Sequence, residues 1–128
     1  MPIRDASRRL PFCFSLLLSS GVFAGCGGAE DRPARWAFIA PAIIEPSCAT
    51  ASCHSAVTQR AAVVLEPRER GYHTLVDRHF VIAGAPAVSE MVALMRAEGS
   101  RRMPPDFALP EVDIALVEQW ILNGAHDD

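Results

Sequence analysis

Between Cys48 and His54 the chain reads Cys-Ala-Thr-Ala-Ser-Cys-His. Two thiols and an imidazole in one short stretch constrain the fold more than any other feature. Whatever they bond or bind, the chain must turn there so that all three reach one partner. The other two cysteines, Cys13 and Cys26, lie near the N-terminus. Four cysteines so unevenly placed are few for a disulfide scaffold. A chain of 128 residues suits one small domain, and an apolar content of 50% is too high for a disordered one. All 12 basic residues are arginine, and a formal net charge of −3 does not suggest a nucleic-acid-binding domain.

The N-terminal stretch reads as an export segment. Arg4, Arg8 and Arg9 stand against one acid, Asp5, ahead of an apolar run from Leu10 to Phe23. A charged start, a short apolar run and small residues after it make a secretory signal. Pro11 and Ser19-Ser20-Gly21 argue against a buried helix there, and the run is too short and too rich in Ser and Gly for a membrane span. It ends Phe23-Ala24-Gly25-Cys26, which resembles the lipobox of bacterial lipoproteins. That resemblance implies removal of residues 1–25 and lipidation of Cys26 as the new N-terminus. The acyl chains of that family exceed the two signals that stable anchoring takes. The expected location is therefore the cell envelope, exported and facing the periplasm or the cell surface. Gly27 lacks the aspartate that signals inner-membrane retention in well-studied lipoproteins, which favours the outer membrane over the inner. Residues 26–35 read as a lipid-anchored tether. Nine residues beyond Cys26 reach at most about 30 Å, which keeps the domain close to the membrane surface.

The folded part is expected over residues 36–128. Trp36 to Glu45 reads as a short apolar helix with Pro41 in its first turn and Ile43 and Ile44 on the core; Pro46 should end or bend it before Cys48. Ala61 to Leu65 is a short extended or buried run. Tyr72, Leu75 and Val76 fall at helical spacing between Glu66 and Arg78. Ser89 is a fair N-cap for a third helix reaching about Glu98 and closed by Gly99. Pro104-Pro105 keeps 100–109 a loop. The last helix is the clearest: Pro110 at its start, Glu111 and Asp113 near its positive end, an apolar face of Val112, Ile114, Val117, Trp120 and Ile121, and Asn123-Gly124 as its stop. The fold class is mostly α, with three to four helices and long loops. So thin a core calls for an added apolar body.

Two cysteines followed directly by a histidine are what covalent haem attachment needs. Each thiol adds to one porphyrin vinyl group, and the imidazole ligates iron. The usual form has two residues between the cysteines; here there are four. Taken with Ile43-Ile44 ahead of it, Met103-Pro104-Pro105 far behind it and a last helix with Trp120-Ile121 and Gly124-Ala125, the motif resembles the class I cytochrome c fold. The likeness is greatest to small cytochrome c-like domains of bacterial lipoproteins and multidomain surface proteins. Gly71-Tyr72 and the Val81, Gly84, Pro86 and Ser89 run resemble those domains too, so the resemblance covers roughly residues 38–126. It implies one covalent haem c, with Cys48 and Cys53 as thioether anchors, His54 as the proximal iron ligand and Met103 as the distal one. Such ligation raises the potential and fills both axial positions, which suits electron transfer. The first and last helices are then expected to cross beside the haem, with Trp120 at or near the crossing.

On the residues alone other readings stay open. Cys48 and Cys53 could close a disulfide in a structural lipoprotein, since the periplasm is oxidising. They could bind zinc with His54, for which no fourth ligand is evident. A labile sixth position would make a haem-based sensor or gas-binding module. His73, His79 and His126 are alternative sixth ligands, whereas Met91 and Met95 read as helix-face core. Arg101 and Arg102 read as solvated loop charges, with a haem propionate as an alternative partner. No Ser-His-Asp, paired-carboxylate or phosphate-loop pattern stands out, so an enzyme is not expected. The expected partners are redox donor and acceptor proteins and, through Cys26, a membrane.

Overall fold

The computed structural model describes residues 31–128. The expected signal segment, the expected lipidation of Cys26 and the first part of the expected tether fall on residues outside the described ones. Residues 31–35, read above as the end of the tether, lie against the domain. Arg32 pairs with Asp113 at 2.5 Å, and Ala34 packs on the core.

Helix α1 runs from residue 36 to 48 in three registers: α-helical Trp36–Ile39, π-helical Ala40–Ile44 and α-helical Glu45–Cys48. Its buried side chains are Trp36, Ile39, Ala40, Ile43 and Ile44, one apolar stripe at helical spacing. Its first N–H groups are met from the far end of the chain. Trp36 N–H donates to Asp128 Oδ1 at 3.1 Å, and Ala37 N–H to the Asp128 main-chain oxygen at 2.7 Å. An acid there also suits the positive end of the helix. The helix does not end at Pro46, as the sequence suggests, but carries on to Cys48. A proline in a helix clashes with the carbonyl four residues back and gives no N–H. Here the widened turn, in which Glu45 N–H reaches back to the Ala40 carbonyl, absorbs that clash without a break.

Helix α2 is Arg68–Asp77, α3 is Glu90–Met95 and α4 is Glu111–Leu122. Three single 3-10 turns, Arg60–Ala62, Pro86–Val88 and Gly99–Arg101, lie in the connecting loops. The fold is mostly helical, with no strand among the described residues. No helix among them is long and apolar enough to cross a membrane.

Packing explains where the elements depart from expectation. Ser89 sits at the start of α3, but its buried hydroxyl does not cap the helix: it donates to the Ala85 carbonyl at 3.0 Å and accepts from Ile82 N–H at 2.9 Å. Helix α3 stops well before Gly99, because the Leu94 carbonyl takes the Ala97 and Met103 N–H groups, which fold the chain back. Val112 is half exposed instead of joining the apolar face of α4. It lies two residues before Ile114, which on a 100° wheel is the opposite side.

The core is centred where α1 meets α4. Trp36 and Trp120 stack with ring centroids 5.0 Å apart and planes 27° apart, and Tyr72 of α2 meets Trp120 edge-on at 6.5 Å. Both indole N–H groups are satisfied, Trp36 Nε1 by the Arg68 carbonyl and Trp120 Nε1 by the His126 carbonyl. Tyr72 OH donates to the Ala125 carbonyl at 3.0 Å. Gly71 lets α2 approach residues 63–65: a Cβ there would stand 2.8 Å from the Leu65 carbonyl oxygen. Arg96, just past α3, forks onto Glu111 and Glu118 of α4 at 2.7 and 2.8 Å. The aromatic contacts fix α1, α2 and α4 beside a space that the side chains do not fill.

Candidate functional site

That space is a partly open, apolar cavity of about 280 Å³. Ser47, Cys48, Cys53 and His54 form one wall, and Val63, Leu65, Leu75 and Phe80 another. Met91, Leu94 and Met95 of α3 face it, as do Met103, Pro104 and Pro105 of the following loop. Arg60 and Glu90 are the charged residues of its lining. The four residues singled out from the sequence as cofactor ligands, Cys48, Cys53, His54 and Met103, therefore line one cavity.

Local structure shows how each arrives. Cys48 is the last residue of α1. The chain then closes a loop in which Cys53 N–H donates to the Thr50 carbonyl at 2.9 Å and His54 N–H to the Cys48 carbonyl at 3.1 Å. Thr58 hydroxyl, donating to the Ala51 carbonyl, ties the loop from outside. The four residues between the cysteines are thus one closed turn. Residues 53 and 54 are pinned on their other side as well, by Arg60 N–H to the Cys53 carbonyl at 3.0 Å and Leu65 N–H to the His54 carbonyl at 2.9 Å.

The His54 ring is oriented by a main-chain group: Nδ1 lies 3.1 Å from the Arg60 carbonyl oxygen. A carbonyl can only accept, so Nδ1 carries the proton and neutral His54 keeps its lone pair on Nε2. Ligating histidines commonly have their other nitrogen tied in this way. Met103 N–H donates to the Leu94 carbonyl at 3.0 Å, which holds the thioether loop against α3. Arg102 stiffens the same loop, donating to the Pro104 and Pro105 carbonyls at 3.4 and 3.2 Å. Its guanidinium serves the loop itself, and Arg101 is exposed outside the lining.

The two thiols differ. Burial, and then the charge of Cys53, push the Cys48 thiol up to about 12. Hydrogen bonds from Thr50 and then Ser52 lower that of Cys53. Both are free thiols. Among the described residues no group of three or more His, Cys, Asp and Glu side chains is arranged to hold a metal ion.

Other residues weighed from sequence fall elsewhere. His73 pairs with Asp77 at 3.3 Å, and His79 Nδ1 meets the Asp77 carbonyl at 3.1 Å. Neither these nor His126 lines the cavity. Met91 and Met95 are buried, as expected of core residues, and are cavity wall as well. Sequence reasoning did not assign Phe80, Leu75, Leu65, Arg60 or Glu90 to the site. The apolar content of the segments was visible, but no spacing linked them to Cys48. The Arg60 carbonyl has no sequence signature, because any residue could supply it.

Comparison of the chain with protein-family models, with curated proteins and with solved structures finds no match.

Proposed function

We propose that this chain is a lipid-anchored c-type cytochrome of the cell envelope, a carrier of single electrons built as a class I cytochrome c-like domain around one covalent haem c. The observation that carries the reading is the lining of the cavity: two thiols and an imidazole on one stretch, and the thioether of Met103 from a loop far along the chain, on mostly apolar walls that include Met91 and Met95. The residues fit the group. An apolar macrocycle needs apolar walls, its vinyl groups need thiols, and a six-coordinate iron needs two axial donors. His54 has its Nδ1 tied to a carbonyl and Nε2 free to donate.

Cys48 and Cys53 would hold the group by adding each S–H across a vinyl double bond, sulfur to one carbon and hydrogen to the other. His54 through Nε2 and Met103 through Sδ would ligate its iron. Bound haem contributes the one-electron exchange between Fe(II) and Fe(III). Leu75, Phe80, Met91 and Met95 keep water away from the centre, and the pinned loops at His54 and Met103 hold the donors in place in both oxidation states. With His54 and Met103 both engaged as ligands, the chain would offer the group electron exchange, so the reading is a carrier and not an enzyme. Anchoring through Cys26, on the outer membrane by preference, would bring it to redox partner proteins at that surface.

The test is intact mass together with a visible spectrum after expression alongside a haem-maturation system. The expected species carries the mass of the lipidated polypeptide plus one haem, with the spectrum of a six-coordinate low-spin centre. A mass of polypeptide and lipid alone refutes the proposal.

A further inference from the structure

The turn that offers its carbonyl to His54 has an uncommon backbone. Gln59, Ala61 and Ala62 have φ of 49°, 56° and 58°. This is the left-handed region, where a Cβ crowds the following carbonyl, and none of the three is glycine. Such a turn persists only where its surroundings over-determine it. Inside it, Ala62 N–H donates to the Gln59 carbonyl at 2.8 Å and Val63 N–H to the Arg60 carbonyl at 3.1 Å. From outside comes Arg78, the residue after α2, whose guanidinium donates to the Ala62 carbonyl at 2.6 Å. The same guanidinium lies 5.1 Å from the centroid of the Phe80 ring. That is a cation–π arrangement, and Phe80 is cavity wall. Arg78 thus joins the left-handed turn to the cavity wall.

We infer that Arg78 is a positioning residue for the proximal ligand: through Ala62 it holds the turn in the shape that keeps the Arg60 carbonyl on His54 Nδ1. Without it, Ala61 and Ala62 relax toward backbone that alanine prefers, the Arg60 carbonyl turns away and the imidazole is free to rotate. The inference rests on the haem reading of the cavity.

The test uses matured holoprotein and four chains: wild type, Arg78→Ala, Arg78→Lys and Arg96→Ala. The last loses an exposed arginine paired elsewhere. Two NMR readouts report the ligand and not overall stability: the rate at which the His54 Nδ1 proton exchanges with solvent, and the haem-methyl shifts of the oxidised protein, which follow the imidazole plane. In Arg78→Ala the exchange should quicken about tenfold or more and the methyl pattern should change. Arg78→Lys, which can still donate to Ala62, should stay near wild type, and Arg96→Ala should match it. Failure of Arg78→Ala to take up haem, while Arg78→Lys and Arg96→Ala mature normally, supports the same dependence. Wild-type exchange and shifts in Arg78→Ala, a lysine variant that fails to load or to rescue, or equal changes in Arg96→Ala would overturn the inference. A wild type that carries no haem refutes the proposed function instead.

Discussion

Trp120→Ala is the perturbation that tests the architecture most directly. Trp120 is 1% exposed, stacks on Trp36 and donates its indole N–H to the His126 carbonyl. Truncating a buried tryptophan to alanine costs about 3–5 kcal/mol through lost burial and the cavity left behind. The stacked pair itself accounts for about 0.5–1.5 kcal/mol beyond burial. The site cannot collapse easily, because Trp36 and Tyr72 pack on it from two other helices. A loss of about 4 kcal/mol is a large share of the roughly 5–15 kcal/mol that holds a small domain together. It corresponds to a fall in Tm of roughly 20 °C for a domain of this size. Trp120→Phe keeps a ring on Trp36 and loses the N–H donor, and it should cost only about 1–2 kcal/mol. Urea unfolding of the protein, followed by far-UV circular dichroism, measures both. The stack also holds α1, and α1 delivers Cys48, so on the proposed haem reading the yield of matured Trp120→Ala should fall with its stability. A loss below about 1 kcal/mol for Trp120→Ala, the size of a surface change, would refute the packing argument.

Three further outcomes are expected. On the proposed haem reading, Met103→Ala should leave haem attached but lower the midpoint potential and let carbon monoxide bind the reduced protein; an unchanged iron spectrum would show that Met103 is not the distal ligand. Gly71→Ala forces a Cβ against the Leu65 carbonyl, which is backbone and cannot swing away; it should destabilise by about 1–3 kcal/mol in urea, and a neutral result contradicts the close approach. Hydrogen bonds from Arg96 hold the Glu111 carboxyl below its usual range. The pair therefore stabilises at pH above the ordinary carboxylate value of about 4.3, and the contribution fades as pH falls through the lowered one. Both groups are solvent-exposed, so the effect is small, but the stability of wild type should fall more steeply with acid than that of Arg96→Met; parallel curves would show that the pair contributes nothing.

Some of this organisation can be read from the chain because it depends on local rules. Helix α4 announces itself by proline and acids at its start, by Ile114, Val117, Trp120 and Ile121 along one face, and by Asn123-Gly124 at its end, where Gly124 has φ of +108°. Its meeting with α1 is an expectation that only the family resemblance carries, and in the structure Trp36 and Trp120 stack where the two helices meet. What escaped depends on tertiary competition. Pro46 stays inside a helix because a π turn makes room for it, and nothing in Ala40–Ile44 marks that widening. The Ser89 hydroxyl has two partners in the preceding loop that outbid the helix end. Neither could be weighed before the loop from Phe80 to Val88 had a path.

The candidate site divides along the same line. Cys48, Cys53 and His54 are legible as residue types at a spacing, Met103 only through the family resemblance, and the fold brings all four to one cavity. The groups that orient them are main-chain carbonyls, of Arg60 for His54 and of Leu94 for Met103. A carbonyl is common to every residue, so its role is set by backbone path alone. This bears on the long spacing between the cysteines. With His54 N–H on the Cys48 carbonyl, the four intervening residues are looped out of the segment that carries the donors. The positions of the two thiols relative to His54 are then governed by that closure and by the Arg60 turn behind it, not by the number of residues counted along the chain.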